Sequence, residues 1–381
     1  MTQRTLAPVR FSDGLTGISQ ISESIYSSSR MELCSIDGKL LRLLKTLQMP
    51  FQKSARPFSL GFCLITAASF SVLHGGLAIS QERKVNIAYA GPSLIALPFL
   101  AAQEWKLFSQ NGLNAQLIVM TFTISIPALS AEQVDYLGGV GPATVSATLR
   151  GIPARAVWFS SDKVLWSLMA HPQMKTLTDL RQKPIGITGG LGATGHVALL
   201  LALEKVGQDS KAFTITPFTG VSEMIQALES GYLSAAMLQP PQLFYVMGKG
   251  FKEMLNVASM IEMPVGGLTT LTKTIQNRPQ EVRALIKSVQ QAKQRMLKSK
   301  EEALGLIIKV GKTDREGALK TYETLRDVLA GDGRPTRVGI ENILKALVLQ
   351  GRIPGTNVPF EDIADTRLAT EVARELGYRV Q

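Results

Sequence analysis

The sequence predicts an α/β protein of two lobes, each a mixed, largely parallel sheet flanked by helices, with a helical C-terminal extension. Three observations carry that expectation. Strand-like and helix-like runs alternate over residues 84–170 at intervals too short for anything but βα units. The rhythm restarts after Leu177, Thr178, Asp179 and Leu180. After Thr274 only helical periodicity remains.

In order, Lys84–Tyr89 reads as a strand, Gly91 and Pro92 as a turn, and Leu94–Phe108 as an apolar helix ending near Asn111 and Gly112. Strand Ala115–Met120 and short helix Ile126–Ala131 follow. Strand Asp135–Gly139 turns at Gly141 and Pro142 into helix Ala143–Leu149, which Gly151 stops. Ala154–Phe159 and Val164–Ala170 read as two more strands. The second round pairs strand Ile185–Thr188 with helix Thr194–Val206, and Phe213–Pro217 with helix Val221–Leu228. Strand Leu233–Met237 leads through Pro240 and Pro241 to helix Gln242–Met247, and Glu253–Ala258 closes the round as a strand. Beyond it, Asn277 is placed to cap a helix whose Val282, Leu285, Ile286, Val289 and Met296 follow the 3.6 period. Thr313 with Glu316 spells a capping box for a helix through Leu329. Ile340–Leu349 ends at Gly351, and the last helix runs from Asp365 to Gly377.

The 381 residues are 45% hydrophobic and 19% charged, enough chain and apolar surface for two lobes. The net charge is +11, but the basic residues after Lys273 alternate with acids on helical segments, the pattern of a solvated face and not of a nucleic-acid stripe. Cys34 and Cys63 are the only cysteines, so the body after residue 80 has no disulfide, no cysteine zinc site and no cysteine nucleophile. His74, His171 and His196 have no metal-ligand spacing, and neither a metal nor a cofactor is expected.

Residues 49–80 have the grammar of a secretory signal: Lys53 and Arg56, an apolar run from Phe58 to Leu73, and an A-x-S cleavage pattern at Ala78, Ile79 and Ser80. The run falls short of the ~20 apolar residues of a spanning helix. Phe62 before Cys63 does not make a lipobox. The expected division is a non-native or disordered leader over 1–48, a signal peptide over 49–80, a first lobe over 81–170, a second over 171–260, and a return segment over 261–381. Crossings are placed near Ala170 and His171 and near Ser259 to Glu262. The helices after Asn277 are expected to pack mainly on the first lobe.

Residues 187–201, ITGGLGATGHVALLL, contain G-x-G-x-x-G at Gly190, Gly192 and Gly195. A phosphate loop needs Lys where His196 stands. A dinucleotide site needs an acid after the next strand, where Pro217, Phe218 and Thr219 stand. What remains is a glycine turn that brings backbone close to a ligand, with Thr194 placed to cap a helix whose free N–H groups favour an anion. Similar turns end other strands, and in open α/β sheets these ends face the ligand crevice. The candidate ligand-binding residues are therefore Ala90, Gly91 and Ser93; Thr121 and Phe122; Gly141 and Pro142; Ser160; Thr188, Gly189, Gly190, Gly192 and Thr194; Thr219; and Gln239. Few charges lie in these turns, Lys163 being the nearest base, so a small monoanion fits better than a dianion. Tyr89, Phe122, Phe159 and Phe218 are candidates for its apolar part. His196 reads as a surface residue at a helix start.

The body resembles the periplasmic substrate-binding proteins of ABC importers, in the nitrate, aliphatic sulfonate, taurine and thiamine-precursor group. The resemblance lies in the helix from Leu97 to Phe108, in Asn111 to Leu113, in Ala128 to Tyr136 and in Leu149 to Pro153. It continues in Leu177 to Leu180 with Lys183 to Ile187, in Met224 to Leu233, where Ser234 and Ala235 replace the usual acid, and in Arg278 to Val282. It implies a type 2 periplasmic-binding fold, hinge closure on a small anionic ligand, docking on an ABC permease at the inner membrane, a periplasmic monomer, and neither catalysis nor nucleic acid. A thiamine-pyrimidine-synthase-like enzyme and a sensor module of the same fold are the alternatives.

Overall fold

The computed structural model describes residues 83–264 and 266–380. The expected leader and signal peptide lie outside them. Among the described residues no helix is long and apolar enough to cross a membrane, and no cluster of His, Cys, Asp and Glu could hold a metal ion.

The first sheet holds β1 (Lys84–Tyr89), β2 (Asn114–Val119), β3 (Tyr136–Leu137), β4 (Ala154–Phe159) and β10 (Gly267–Leu271), in the order β2-β1-β3-β10-β4. The second holds β5 (Ser167–Ala170), β6 (Pro184–Thr188), β7 (Thr214–Phe218), β8 (Ala235–Leu238) and β9 (Lys252–Leu255), in the order β7-β6-β8-β5-β9. Each sheet contains one strand that runs against its neighbours. β5 is antiparallel to β8 and β9, and β10 is antiparallel to β3 and β4. These are the strands that enter directly after a crossing, so they arrive from the opposite end to a strand that follows a helix.

That arrangement moves the first crossing. Ser167–Ala170 belongs to the second sheet, so the chain leaves the first sheet between Phe159 and Ser167, earlier than Ala170 and His171. β5 is buried along its whole length, and an uninterrupted apolar run does not say which sheet takes it. The return lies between Leu255 and Gly267. β10 has no counterpart among the expected strands, and Gly266 and Gly267 carry little strand propensity; yet Thr269 and Thr270 are buried and donate to the Gly139 and Asp135 carbonyls.

Helices α1 (Leu97–Glu104), α2 (Leu107–Gln110), α3 (Phe122–Ser130) and α4 (Pro142–Leu149) connect the first sheet. The single helix expected over 94–108 is broken at Lys106, whose φ is 57°. α5 (Thr194–Lys205), α6 (Val221–Glu229) and α7 (Gln242–Gly248) connect the second, and α8 (Val257–Met260) sits on the return crossing in place of the expected strand end. After β10 come α9 (Thr272–Asn277), α10 (Pro279–Lys298), α11 (Lys300–Gly311), α12 (Arg315–Leu329), α13 (Arg337–Leu349) and α14 (Arg367–Glu375). Asn277 ends α9 instead of capping α10, which Pro279 starts. Asp314, not Thr313, caps α12 by accepting from the Gly317 N–H at 2.8 Å.

α10 buries the predicted stripe of Val282, Leu285, Ile286, Val289 and Met296 against α1 and α2. α13 departs from the expected packing. It lies on both α4 and α5, and its Ile340, Ile343, Leu344 and Leu347 share one apolar cluster with Val145 of α4 and Val197 and Leu201 of α5. Hydrophobic burial is non-directional, so a helix with a wide apolar face covers whichever surface is left open, here the seam between the two sheets.

Candidate functional site

A cavity of about 230 Å³ lies between the C-terminal ends of strands from the two sheets. Tyr89 at the end of β1 and Gly138 and Gly139 after β3 line one side, and Thr188 at the end of β6 lines the other. The residues that start α3, α4 and α5 (Phe122, Pro142 and Thr194) all line it. The first N–H groups of a helix have no intrahelical acceptor and carry its positive dipole end. Pro142 has no N–H and Thr144 Oγ1 accepts that of Gly141, so α4 offers those of Ala143 and Thr144, and helices from both sheets bring backbone donors to one space.

Ten expected positions line it: Ala90, Gly91, Ser93, Phe122, Gly141, Pro142, Thr188, Gly189, Gly192 and Thr194. Thr121, Ser160, Gly190, Thr219 and Gln239 do not. The Thr121 hydroxyl is 2.9 Å from that of Thr123, and Ser160 is buried with its N–H on the Gly266 carbonyl. The Gln239 Oε1 is buried without a partner among the described residues. Of the aromatic candidates, Tyr89 and Phe122 line the cavity. Phe159 is in the core and Phe218 packs on the α6 side of the second sheet. Lys163 pairs its backbone with Glu262 on the crossings and does not line it.

Sequence reasoning missed Trp166, Ile95, Val140, Thr144, Gly195 and Gly266, which line the cavity as well. Trp166 sits inside what reads as a strand, and Gly266 precedes the unforeseen β10, so no turn or motif marked either. Among the described residues the lining contains no Asp, Glu, Lys, Arg, His or Cys. Its one titratable group is the Tyr89 phenol, which burial pushes up.

The glycine turn has the backbone the sequence suggested. Gly189, Gly190 and Gly192 have φ of +82°, +84° and +87°, the left-handed region that side chains disfavour. Thr194 is the first helical residue and does not cap α5; the N-cap is Ala193, with no side-chain bond. A Cβ on Gly141 would sit 3.1 Å from Thr194 Oγ1, so the starts of α4 and α5 nearly touch across the cavity. His196 is not a surface residue. It is 8% exposed, and its Nδ1 accepts from the Gly192 N–H at 3.0 Å. Burial, and then the nearby Arg352 guanidinium, hold its pKa below the usual histidine value.

Solved structures that align with this chain include binding proteins and an enzyme. The alkanesulfonate-binding protein SsuA of Xanthomonas axonopodis pv. citri, bound to MOPS, aligns at a TM-score of 0.61 with 14% identity, over 74% of this chain and 97% of that one. The periplasmic aliphatic sulphonate binding protein SsuA of Escherichia coli aligns at 0.60 with 13% identity, over 74% and 92%. The desulfurization enzyme DSZB aligns at 0.59 with 13% identity, over 77% and 99%. At such identities the likeness shows the fold, which is the periplasmic-binding-protein fold. No curated protein matches the chain. Residues 96–303 match the NMT1/THI5 like family, more than half of the chain, and the protein belongs to that family.

Proposed function

We propose that the protein is an extracytoplasmic solute receptor that binds a small organic monoanion between its lobes and hands it to an ABC permease. One observation carries the reading: helix N-termini from both sheets converge on a cavity whose lining, among the described residues, has no carboxylate, amine, guanidinium, imidazole or thiol side chain. Donors without a fixed cation suit a singly charged oxyanion, whereas a dianion calls for Arg or Lys. The apolar remainder of the wall suits an organic body. The likeness to two sulfonate-binding proteins supports the same class. The lobes we assign are residues 83–166 and 167–255, with the chain returning to the first lobe from 256, and export by residues 49–80 belongs to the same reading.

The second reading is an enzyme, since DSZB shares the fold. Among the described residues the lining has the hydroxyls of Tyr89, Ser93, Thr144, Thr188 and Thr194 but no His, Cys, Asp or Glu to activate one, which favours the receptor. The test is thermal unfolding of the purified chain with nitrate, sulfate, taurine and benzenesulfonate. An organosulfonate at ~100-fold over its Kd should stabilise by about 2.7 kcal/mol. A chain unmoved by every one of these anions is not this receptor, and turnover of a bound sulfonate would favour the enzyme.

A further inference from the structure

The cavity contains a donor that the glycine turn does not account for. Trp166 is carried by the first crossing and is only 7% exposed, and its indole N–H, which opens on the cavity, donates to no acceptor among the described residues. The indole N–H of a tryptophan so largely covered ordinarily finds one. Trp158 of the same chain does so, donating to Gln290 Oε1 at 2.8 Å. Trp166 instead turns Nε1 toward the first turn of α5, where a Cβ on Gly195 would lie 3.3 Å from it. The backbone N–H groups of Thr194 and Gly195 at that turn are donors without an intrahelical acceptor. Three donors thus lie together at one corner of the cavity, none bonded to an acceptor among the described residues, and an oxygen-rich anion is the group that accepts from all three. The corner also adjoins both crossings, because the Trp166 carbonyl accepts the Ala258 N–H of α8 at 2.9 Å.

We infer that Trp166 is a ligand-binding residue, donating its indole N–H to the same oxyanion that the start of α5 holds. The ligand is then an amphiphile with a sulfonate- or carboxylate-type head at Trp166, Thr194 and Gly195, and an apolar body toward Tyr89, Ile95 and Phe122 across the cavity. This rests on the receptor reading above and adds the place of the head group and the residue that selects it.

The test uses the whole chain, benzenesulfonate and uncharged benzenesulfonamide. Trp166→Phe keeps an aromatic ring and removes the donor. Binding of benzenesulfonate by the variant should be roughly tenfold to a hundredfold weaker, the range expected for losing a hydrogen bond to a charged group. Benzenesulfonamide should bind weakly to both proteins. In nitrogen–proton correlation spectra, the indole signal that the variant lacks should move downfield when benzenesulfonate is added to the wild type. Sulfonate binding with that signal unmoved and with equal affinity in the variant overturns the role of Trp166 and leaves the receptor reading standing. No binding of benzenesulfonate, nor of benzoate added as the carboxylate probe, by the wild type removes both. The wild-type spectrum decides the matter even if the variant folds poorly.

Discussion

His196 Nδ1 accepts the Gly192 backbone N–H at 3.0 Å, so the imidazole holds the glycine turn against the first turn of α5 from behind the cavity. The nitrogen can accept only when it carries no proton, and burial together with Arg352 keeps it so. Because the folded-state pKa lies below 6.5, the unfolded chain takes up a proton that the folded one refuses as pH falls through 6.5. The contribution is complete above that value and is lost below it. Urea midpoints between pH 8 and 5 should fall more steeply for wild type than for His196→Ala. At pH 8 the variant should be less stable by about 1 kcal/mol, the worth of one hydrogen bond. Parallel pH curves for the two proteins would show that the imidazole does not titrate against folding.

The two glycines of the turn should behave differently. Both have positive φ, and a branched residue at either costs about 1–2 kcal/mol of backbone strain. A Cβ on Gly190 meets open space. A Cβ on Gly192 would meet only the Arg352 guanidinium, the end of a flexible side chain that can yield, so the difference rests on Gly192 lining the cavity and Gly190 not. Calorimetry with benzenesulfonate should find Gly192→Val weaker by about a hundredfold and Gly190→Val within about fivefold of wild type. Equal losses would mean that strain alone, and not position, governs the turn.

Gly141 is extended, with φ of −179°, so a side chain there is free of backbone strain and acts only through space. Its Cβ would press on Thr194 Oγ1 from the other side of the cavity. Gly141→Val should wedge the starts of α4 and α5 apart. The expected outcome is an unfolding midpoint within about 1 kcal/mol of wild type and at least tenfold weaker binding. Undiminished affinity would contradict the close approach of the two helices.

Lys293 of α10 is fully buried, its Nζ 3.1 Å from the Gly331 carbonyl and 5.5 Å from the Trp158 ring centre. Asp332, itself paired with Arg334, and Asp162 of the first crossing face it, but burial outweighs them and brings its pKa down to about 7. Between pH 10.5 and 7 the unfolded chain holds a proton that the folded chain does not, so stability falls as pH falls through that window and levels off below it. Lys293→Met should be more stable than wild type at pH 6 by roughly 1–3 kcal/mol, with the advantage shrinking toward pH 10. Denaturant unfolding at pH 6, 8 and 10 measures it; a variant less stable at pH 6 would mean that the charged lysine is a net asset where it sits.

The sequence by itself determined the βα rhythm, the helical tail, the apolar stripe of α10 and the left-handed glycines of 189–192. Each is a local consequence of side-chain period or of φ freedom, and ten of the cavity-lining residues follow from strand-end turns in the same way. Only the tertiary structure decided what depends on partners distant in sequence. β5 joined the second sheet because its buried run pairs with β8 and β9, and β10 was a strand only because β3 and β4 supplied its ladder. α13 settled over the seam because both α4 and α5 left apolar surface there. His196 became a buried support instead of a surface residue because Gly192 turned its N–H back toward it. Trp166, with no motif around it, was brought to the cavity by the crossing. Turn chemistry is written within a few residues, whereas pairing and burial are properties of the assembled chain.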